Sequence, residues 1–239
     1  KQKTAYEIYQ CDWSSDVCSS DLITVAGPAS GNVTFTGSTA WSVYGNFTLP
    51  SSGITWSYSG TITFSATTTG WTITTNGIAI GSTALVFNGV GGGWTLGSAL
   101  TSTSTVTFTN GTFNTGNYSC INGYWTNSGT GTNTINLGSS TLTLSTIGGW
   151  SFGTTTGLTF NAGTSTINLN SSGTYALGGL TYNNVNFSVT SGVLTTLTGA
   201  NTFANLSITA PATGAIKTFN VSANQTVTGT RSEEHTSEL

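Results

Sequence analysis

Short strands of alternating apolar and polar residues recur in this chain at intervals of about 21 to 23 residues, the scale of one stacked structural repeat. That recurrence limits the fold more than any other feature. Near the C-terminus the runs are Leu158-Thr-Phe-Asn, Leu180-Thr-Tyr-Asn and Asn201-Thr-Phe-Ala, whose aromatics are Phe160, Tyr182 and Phe203, spaced 22 and 21. Phe64, Phe87 and Phe108 form an earlier series spaced 23 and 21, and Ile135 holds a less regular place between the two series. Alternation with period two marks a half-buried strand. A repeat of roughly 20 to 50 residues marks a solenoid, a propeller or an array. One coil of this length holds two or three short strands joined at Gly or Asn corners. A coil cannot bury its apolar face alone, so successive coils must stack.

The expected fold is therefore all-β, a β-solenoid (parallel β-helix) of eight or nine coils. A β-sandwich is the alternative, because strands at a spacing of about 8 to 12 residues with turn signals between them also fit that architecture. Trp41, Trp56 and Trp71, equally spaced along the chain, keep it open. No stretch long enough for a three-turn helix has helical periodicity. No run approaches the roughly 18 consecutive apolar residues of a membrane-spanning helix.

Composition divides the chain. Residues 23 to 230 hold 49 Thr, 25 Ser and all 32 Gly, but a single charge, Lys217. At the usual charged fraction they would carry roughly 50. Disorder does not follow, because regularly placed aromatic and β-branched residues are what disordered chains lack. Nucleic acid is not an expected partner, since one Lys cannot neutralise a phosphate backbone.

All seven acidic residues lie in the first 22 or last nine positions. The terminal RSEEHTSEL back-translates as AGATCGGAAGAGCACACGTCTGAACTC. The reverse complement of that string, read one base in, encodes Ser14-Ser-Asp-Val-Cys-Ser-Ser-Asp-Leu22. The two ends thus read as opposite strands of one DNA segment, which resembles a short-read sequencing adapter. Residues 1–22 and 231–239 are expected to be non-native, disordered and dispensable, and are set apart from the fold. Residues 23–230 are expected to form one repeat domain. With no Met anywhere, this domain reads as an internal piece of a longer protein.

The segments 157–169 (GLTFNAGTSTINL), 178–187 (GGLTYNNVNF), 198–208 (TGANTFANLSI), 222–229 (SANQTVTG) and 85–96 (LVFNGVGGGWTL) resemble β-strand-repeat proteins of bacteria and environmental phage. The resemblance covers most of residues 23–230. It implies a β-helix fold, placement on a cell surface or virion, and a structural or adhesive role. It supplies no catalytic motif.

The chemistry points the same way. Glycoside hydrolysis needs paired carboxylates, lyase chemistry needs a tuned base, and a Ser or Cys nucleophile needs a neighbouring base. Residues 23–230 contain no Asp, Glu, His or Arg. No enzyme activity, cofactor or metal is expected. Cys120 has no nearby cation to lower its pKa and reads as a structural thiol; Lys217 reads as a solvated or edge-guarding residue. Nine Asn-x-Ser/Thr sequons match chance for this composition.

Trp41, Trp56, Trp71, Trp94, Trp125 and Trp150 are each followed by Ser or Thr and then a nearby Gly. They are the candidate glycan contacts if their faces are exposed, and corner-capping core residues if they are not. Thr101, Thr103, Thr105, Thr107 and Thr109 form a Thr-x-Thr run of the kind that suits an ice-binding ladder. The expected function is a non-enzymatic structural module, extracellular or on a virion. Its partners would be neighbouring repeats, and a carbohydrate-binding module is the alternative.

Overall fold

A computed structural model describes residues 23–24, 31–129, 131–188, 195–209, 218–229 and 231–234. Every strand pairing among them is parallel and joins residues about one coil apart, with register shifts only where Ala84–Leu96 meets Thr105–Asn114 around Asn110. The fold is a β-solenoid of about eight turns. Parallel pairing throughout excludes the sandwich, which is built from antiparallel sheets.

Each turn contributes strands to three ladders. The first contains Trp41–Val43, Thr61–Phe64, the starts of Ala84–Leu96 and Thr105–Asn114, then Tyr124–Asn127, Trp150–Ser151, Gly173–Ala176, Thr195–Thr198 and Phe219–Val221. The second contains Ile23–Thr24, Phe47–Thr48, Trp71–Thr74, the ends of those two long strands, Asn133–Asn136 and Leu158–Asn161. It continues through Tyr182, Phe203 and Val227, the rings of Phe160 and Tyr182 lying 5.1 Å apart. The third runs from Leu100–Thr101 through Cys120–Asn122, Thr141–Leu144 and Thr166–Leu169 to the ends of Thr181–Phe187 and Thr202–Thr209. In the earliest turns its place in chain order is taken by Val33–Gly37, paired with Ile54–Tyr58.

This topology explains the sequence spacings. Phe64, Phe87 and Phe108 are one column of the first ladder, stacked at 4.9 and 5.5 Å with interplanar angles of 12° and 10°. Phe160, Tyr182 and Phe203 belong to the second ladder, so the two aromatic series are separate columns. Ile135 sits in the second series, paired in register with Phe113 before it and Phe160 after it. The equal steps from Trp41 to Trp56 to Trp71 are steps between faces: the three strands occupy the first, third and second places in a turn. Stacked rings of this kind add about 0.5–1.5 kcal/mol each beyond their area burial.

Glycine sets the corners where turns approach closely. A Cβ on Gly157 (φ +73°) would stand 2.3 Å from the Gly131 carbonyl oxygen, and one on Gly163 (φ +59°) 2.3 Å from that of Gly138. No side chain fits there, and the left-handed backbone independently favours Gly.

Residues 1–22, 235–239 and Lys217 lie outside the described residues, as do the expectations placed on them. Arg231–Glu234, expected to be disordered, instead pairs with Leu206–Thr209 and ends the third ladder. An open parallel edge offers backbone groups to any sequence, which accounts for the added strand. In register, Arg231 follows Leu206 and Glu233 follows Ile208.

Candidate functional site

The six tryptophans between residues 23 and 230 are packing groups. Trp94, Trp125 and Trp150 are fully buried, and Trp56 is 9% exposed. Trp41 and Trp71 are half-buried and pack against the same core. Of the two readings of these residues, the corner-capping core one describes Trp56, Trp94, Trp125 and Trp150, and no row of accessible indole rings forms among the described residues. The physical reason is alternation: each of these indoles occupies an inward ladder position, where a neighbouring turn covers it. Trp125 stacks on Trp150 at 5.6 Å and meets Phe108 edge-on at 5.1 Å. Three indole N–H groups donate inside the protein: Trp56 to Thr83 Oγ1 at 2.8 Å, Trp94 to the Gly45 carbonyl at 3.2 Å, and Trp125 to Asn122 Oδ1 at 3.0 Å.

The similar approaches Val90-Gly-Gly-Gly-Trp94 and Ile147-Gly-Gly-Trp150 lie at different corners. The first joins the first ladder to the second; the other joins the third to the first. In both the aliphatic residue is exposed, Val90 by 68% and Ile147 by 69%, while the Trp is buried.

Among the described residues before Arg231, the titrating side chains are Cys120 and the tyrosines. Burial pushes the Cys120 thiol up to about 12, which leaves it a neutral core group at ordinary pH. Burial likewise raises Tyr175 to about 12, against the opposing pull of its hydrogen bond to the Ser171 carbonyl at 2.5 Å. Tyr182 is raised well above its ordinary range by burial, and its hydroxyl donates to the Leu177 carbonyl at 2.8 Å. No group of three or more His, Cys, Asp or Glu forms among the described residues. Among the described residues before Arg231, this arrangement offers hydrogen bonding and shape.

The organised polar groups lie on the outside of the second ladder. One outward row contains Thr112, Thr134 and Thr159, and continues as Thr181, Thr202 and Thr226. Beside it run Thr72, Thr95, Asn114, Asn136 and Asn161. The Asn row is tied lengthwise: Asn161 Nδ2 donates to Asn136 Oδ1 at 2.6 Å, Asn136 to Asn114, and Asn114 to Thr95 Oγ1 at 3.2 Å. Two similar bonds link turns in the third ladder, Asn186 to Asn168 at 2.9 Å and Asn205 to Asn184 at 2.7 Å.

The Thr101–Thr109 run does not form one array. Thr101 belongs to the third ladder, whereas Thr105 and Thr107 belong to the first. Residues that make a row come from successive coils, not from alternate positions along one strand. The recurring tripeptides Thr112-Phe-Asn, Thr134-Ile-Asn, Thr159-Phe-Asn and Thr181-Tyr-Asn were the signal for the true row.

Comparison of the chain with protein-family models, with curated proteins and with solved structures gives no match.

Proposed function

We propose that residues 23–230 form a non-enzymatic structural module, part of the stalk or passenger of a cell-surface adhesin or of a phage tail-associated protein. The observation that carries this reading is the shared interior: the column from Trp41 to Val221 and the one from Trp71 to Val227 are apolar at every described turn, under uncharged Thr and Asn faces. Such a body gains rigidity from every added turn and commits no ionisable group to chemistry. Its setting is extracellular or virion-borne, with neighbouring repeats as partners. The test combines limited proteolysis with a glycan array. A protease-resistant body with no saturable glycan binding is the expected result. Saturable binding lost on Thr134→Lys or Asn136→Lys would replace the structural reading with a carbohydrate-binding one. Untrimmed reads across codons 23–230 would identify the domains encoded beside the module.

The Thr row favours a second reading. Neighbouring turns stand about 4.8 Å apart and alternate residues along a strand about 6.7 Å apart, so hydroxyls, methyls and amides form a flat lattice without charge. A lattice of this kind suits ordered water at an ice surface. Thermal hysteresis that disappears in Thr134→Lys would establish it, and its absence from the purified parent removes it.

A further inference from the structure

Strand pairing in the second ladder breaks off inside the solenoid. Leu158–Asn161 pairs on one edge with Asn133–Asn136, and on its other edge with no strand among the described residues. The first and third ladders cross the same step, Ser151 pairing with Ala176 and Thr166–Leu169 with Asn184–Phe187. Chain length is the cause. From Ser151 to Thr166 the chain advances 15 positions, but between their partners Ala176 and Asn184 it advances only eight. The shorter turn lacks the residues for a corner and a separate four-residue strand. It passes into the third ladder as the single strand Thr181–Phe187, which keeps the Tyr182 ring 5.1 Å from Phe160. Exposure records the gap. Thr112-Phe-Asn114 and Thr134-Ile-Asn136 each hold a buried apolar residue between half-buried polar ones, whereas Thr159 and Asn161 are exposed and Phe160 is half-buried.

The free edge has a definite pattern. On the paired edge Asn133 and Leu137 donate to the carbonyls of Gly157 and Asn161, at 3.0 and 2.9 Å. Backbone groups alternate in direction along a strand, so Phe160 turns both its N–H and its C=O to the open edge, flanked by the Leu158 C=O and the Ala162 N–H. The Leu158 N–H and the Ala162 C=O are used within the turn, by the Thr155 carbonyl at 3.0 Å and the Ser165 N–H at 3.1 Å. The side-chain ladder also stops here with one direction left open. Asn136 donates to Asn114 and Asn161 to Asn136, so the next acceptor in the series is Asn161 Oδ1. Residues 131–188 carry no charge, the usual guard of a free edge.

We infer that this edge docks an extended segment of a partner polypeptide, which adds as a parallel strand beside Leu158–Asn161. Continuity with the ladder sets the chemistry of that segment. Three successive turns place Thr–apolar–Asn here in register, so the incoming strand carries an uncharged polar–apolar–polar triplet. Its apolar residue falls against the part of Phe160 that Tyr182 leaves uncovered, and an Asn after it donates to Asn161 Oδ1. In a second folded copy the matching triplets are already paired within their own ladder, so the occupant is an unfolded stretch of another chain. Docking and rigidity are separate properties. A protease-resistant chain that binds no peptide removes this site and leaves the structural module standing.

The probe is a fluorescently labelled peptide with the sequence of residues 132–137, Thr-Asn-Thr-Ile-Asn-Leu, titrated with the full chain and read by anisotropy. Saturable one-to-one binding is expected, and it should be lost when Lys replaces the Ile of the peptide. Ala162→Pro deletes one donor of the open edge, so it should weaken binding about tenfold. That N–H makes no bond to the preceding turn, and circular dichroism would confirm that the variant is folded. Thr159→Lys, which guards the edge with charge, is the second variant and should weaken binding as well. Amide exchange read by NMR supplies a check without any variant. In the free chain the Phe160 amide should exchange faster than those of Thr159 and Asn161, and the peptide should slow it. Absence of saturable binding at the highest soluble peptide concentration would overturn the proposal. So would a Phe160 amide as protected as its neighbours in the free chain, or binding unchanged in both variants.

Discussion

Replacing Trp125 with Ala separates a packing role from a ligand role for the indoles. The side chain is fully buried between Trp150, Phe108 and Phe113, with ring centroids 5.1 to 5.9 Å away. Truncating a buried Trp costs about 3–5 kcal/mol. The change also removes the donor to Asn122 Oδ1, and Asn122 Nδ2 already lacks a partner. Leaving that buried amide unsatisfied adds about 1–3 kcal/mol. The sum, roughly 4–8 kcal/mol, is comparable with the whole stability of an ordinary domain, about 5–15 kcal/mol. With a urea slope of roughly 3 kcal/mol per M, the midpoint should fall by more than about 1 M. Circular dichroism and Trp fluorescence would report it. Hydrogen exchange should rise first in the turns between Thr105 and Ala176, because each turn rests on its neighbours. Trp41→Ala, at a half-buried end position, should shift the midpoint much less. An unchanged midpoint in Trp125→Ala, accompanied by loss of glycan binding, would refute the packing argument.

Other perturbations probe separate parts of the structure. Gly163→Ala should lower the melting temperature well beyond Gly77→Ala: both glycines have positive φ, but a Cβ at 77 meets nothing within 4 Å, whereas at 163 it strikes the Gly138 carbonyl. Equal losses in the two would show that backbone conformation, not close approach, sets the cost. Asn136→Ala should cost about 0.5–1.5 kcal/mol for each of the two ladder bonds it breaks, measured by chemical denaturation. Stability should fall as pH rises above about 9. The Cys120 thiol ionises near 9.0 when unfolded but is held up to about 12 in the fold, and Tyr175 moves from 10.0 to about 12. The native state therefore keeps protons that the unfolded chain releases, at about 1.4 kcal/mol per pH unit for the buried thiol. Thiol reagents should correspondingly reach Cys120 only on unfolding, while faster labelling of the native protein would place it at the surface.

The repeat was legible because a stacked coil needs an inward aromatic at each pass, and Phe160, Tyr182 and Phe203 mark those passes directly. The column assignments were not legible. Phe108 and Phe113 lie on one bent strand but serve different ladders, and nothing local distinguishes them. For the same reason Thr101 to Thr109 looked like an array, although a corner divides it. The tryptophans were ambiguous because Trp-Ser/Thr with a following Gly describes a corner equally well from inside or outside.

The sequence by itself determined an all-β, coil-repeating body whose one charge between positions 23 and 230 is Lys217, because alternation and composition act locally along the chain. Tertiary structure alone decided which residues share a column: that Trp125 lies over Trp150, that Phe108 and Phe113 serve different ladders, and that Val221 is left half-exposed at an end. Those relations join residues about one turn apart. Each corner can add or drop a residue without breaking the local pattern, so only the completed stack fixes the register.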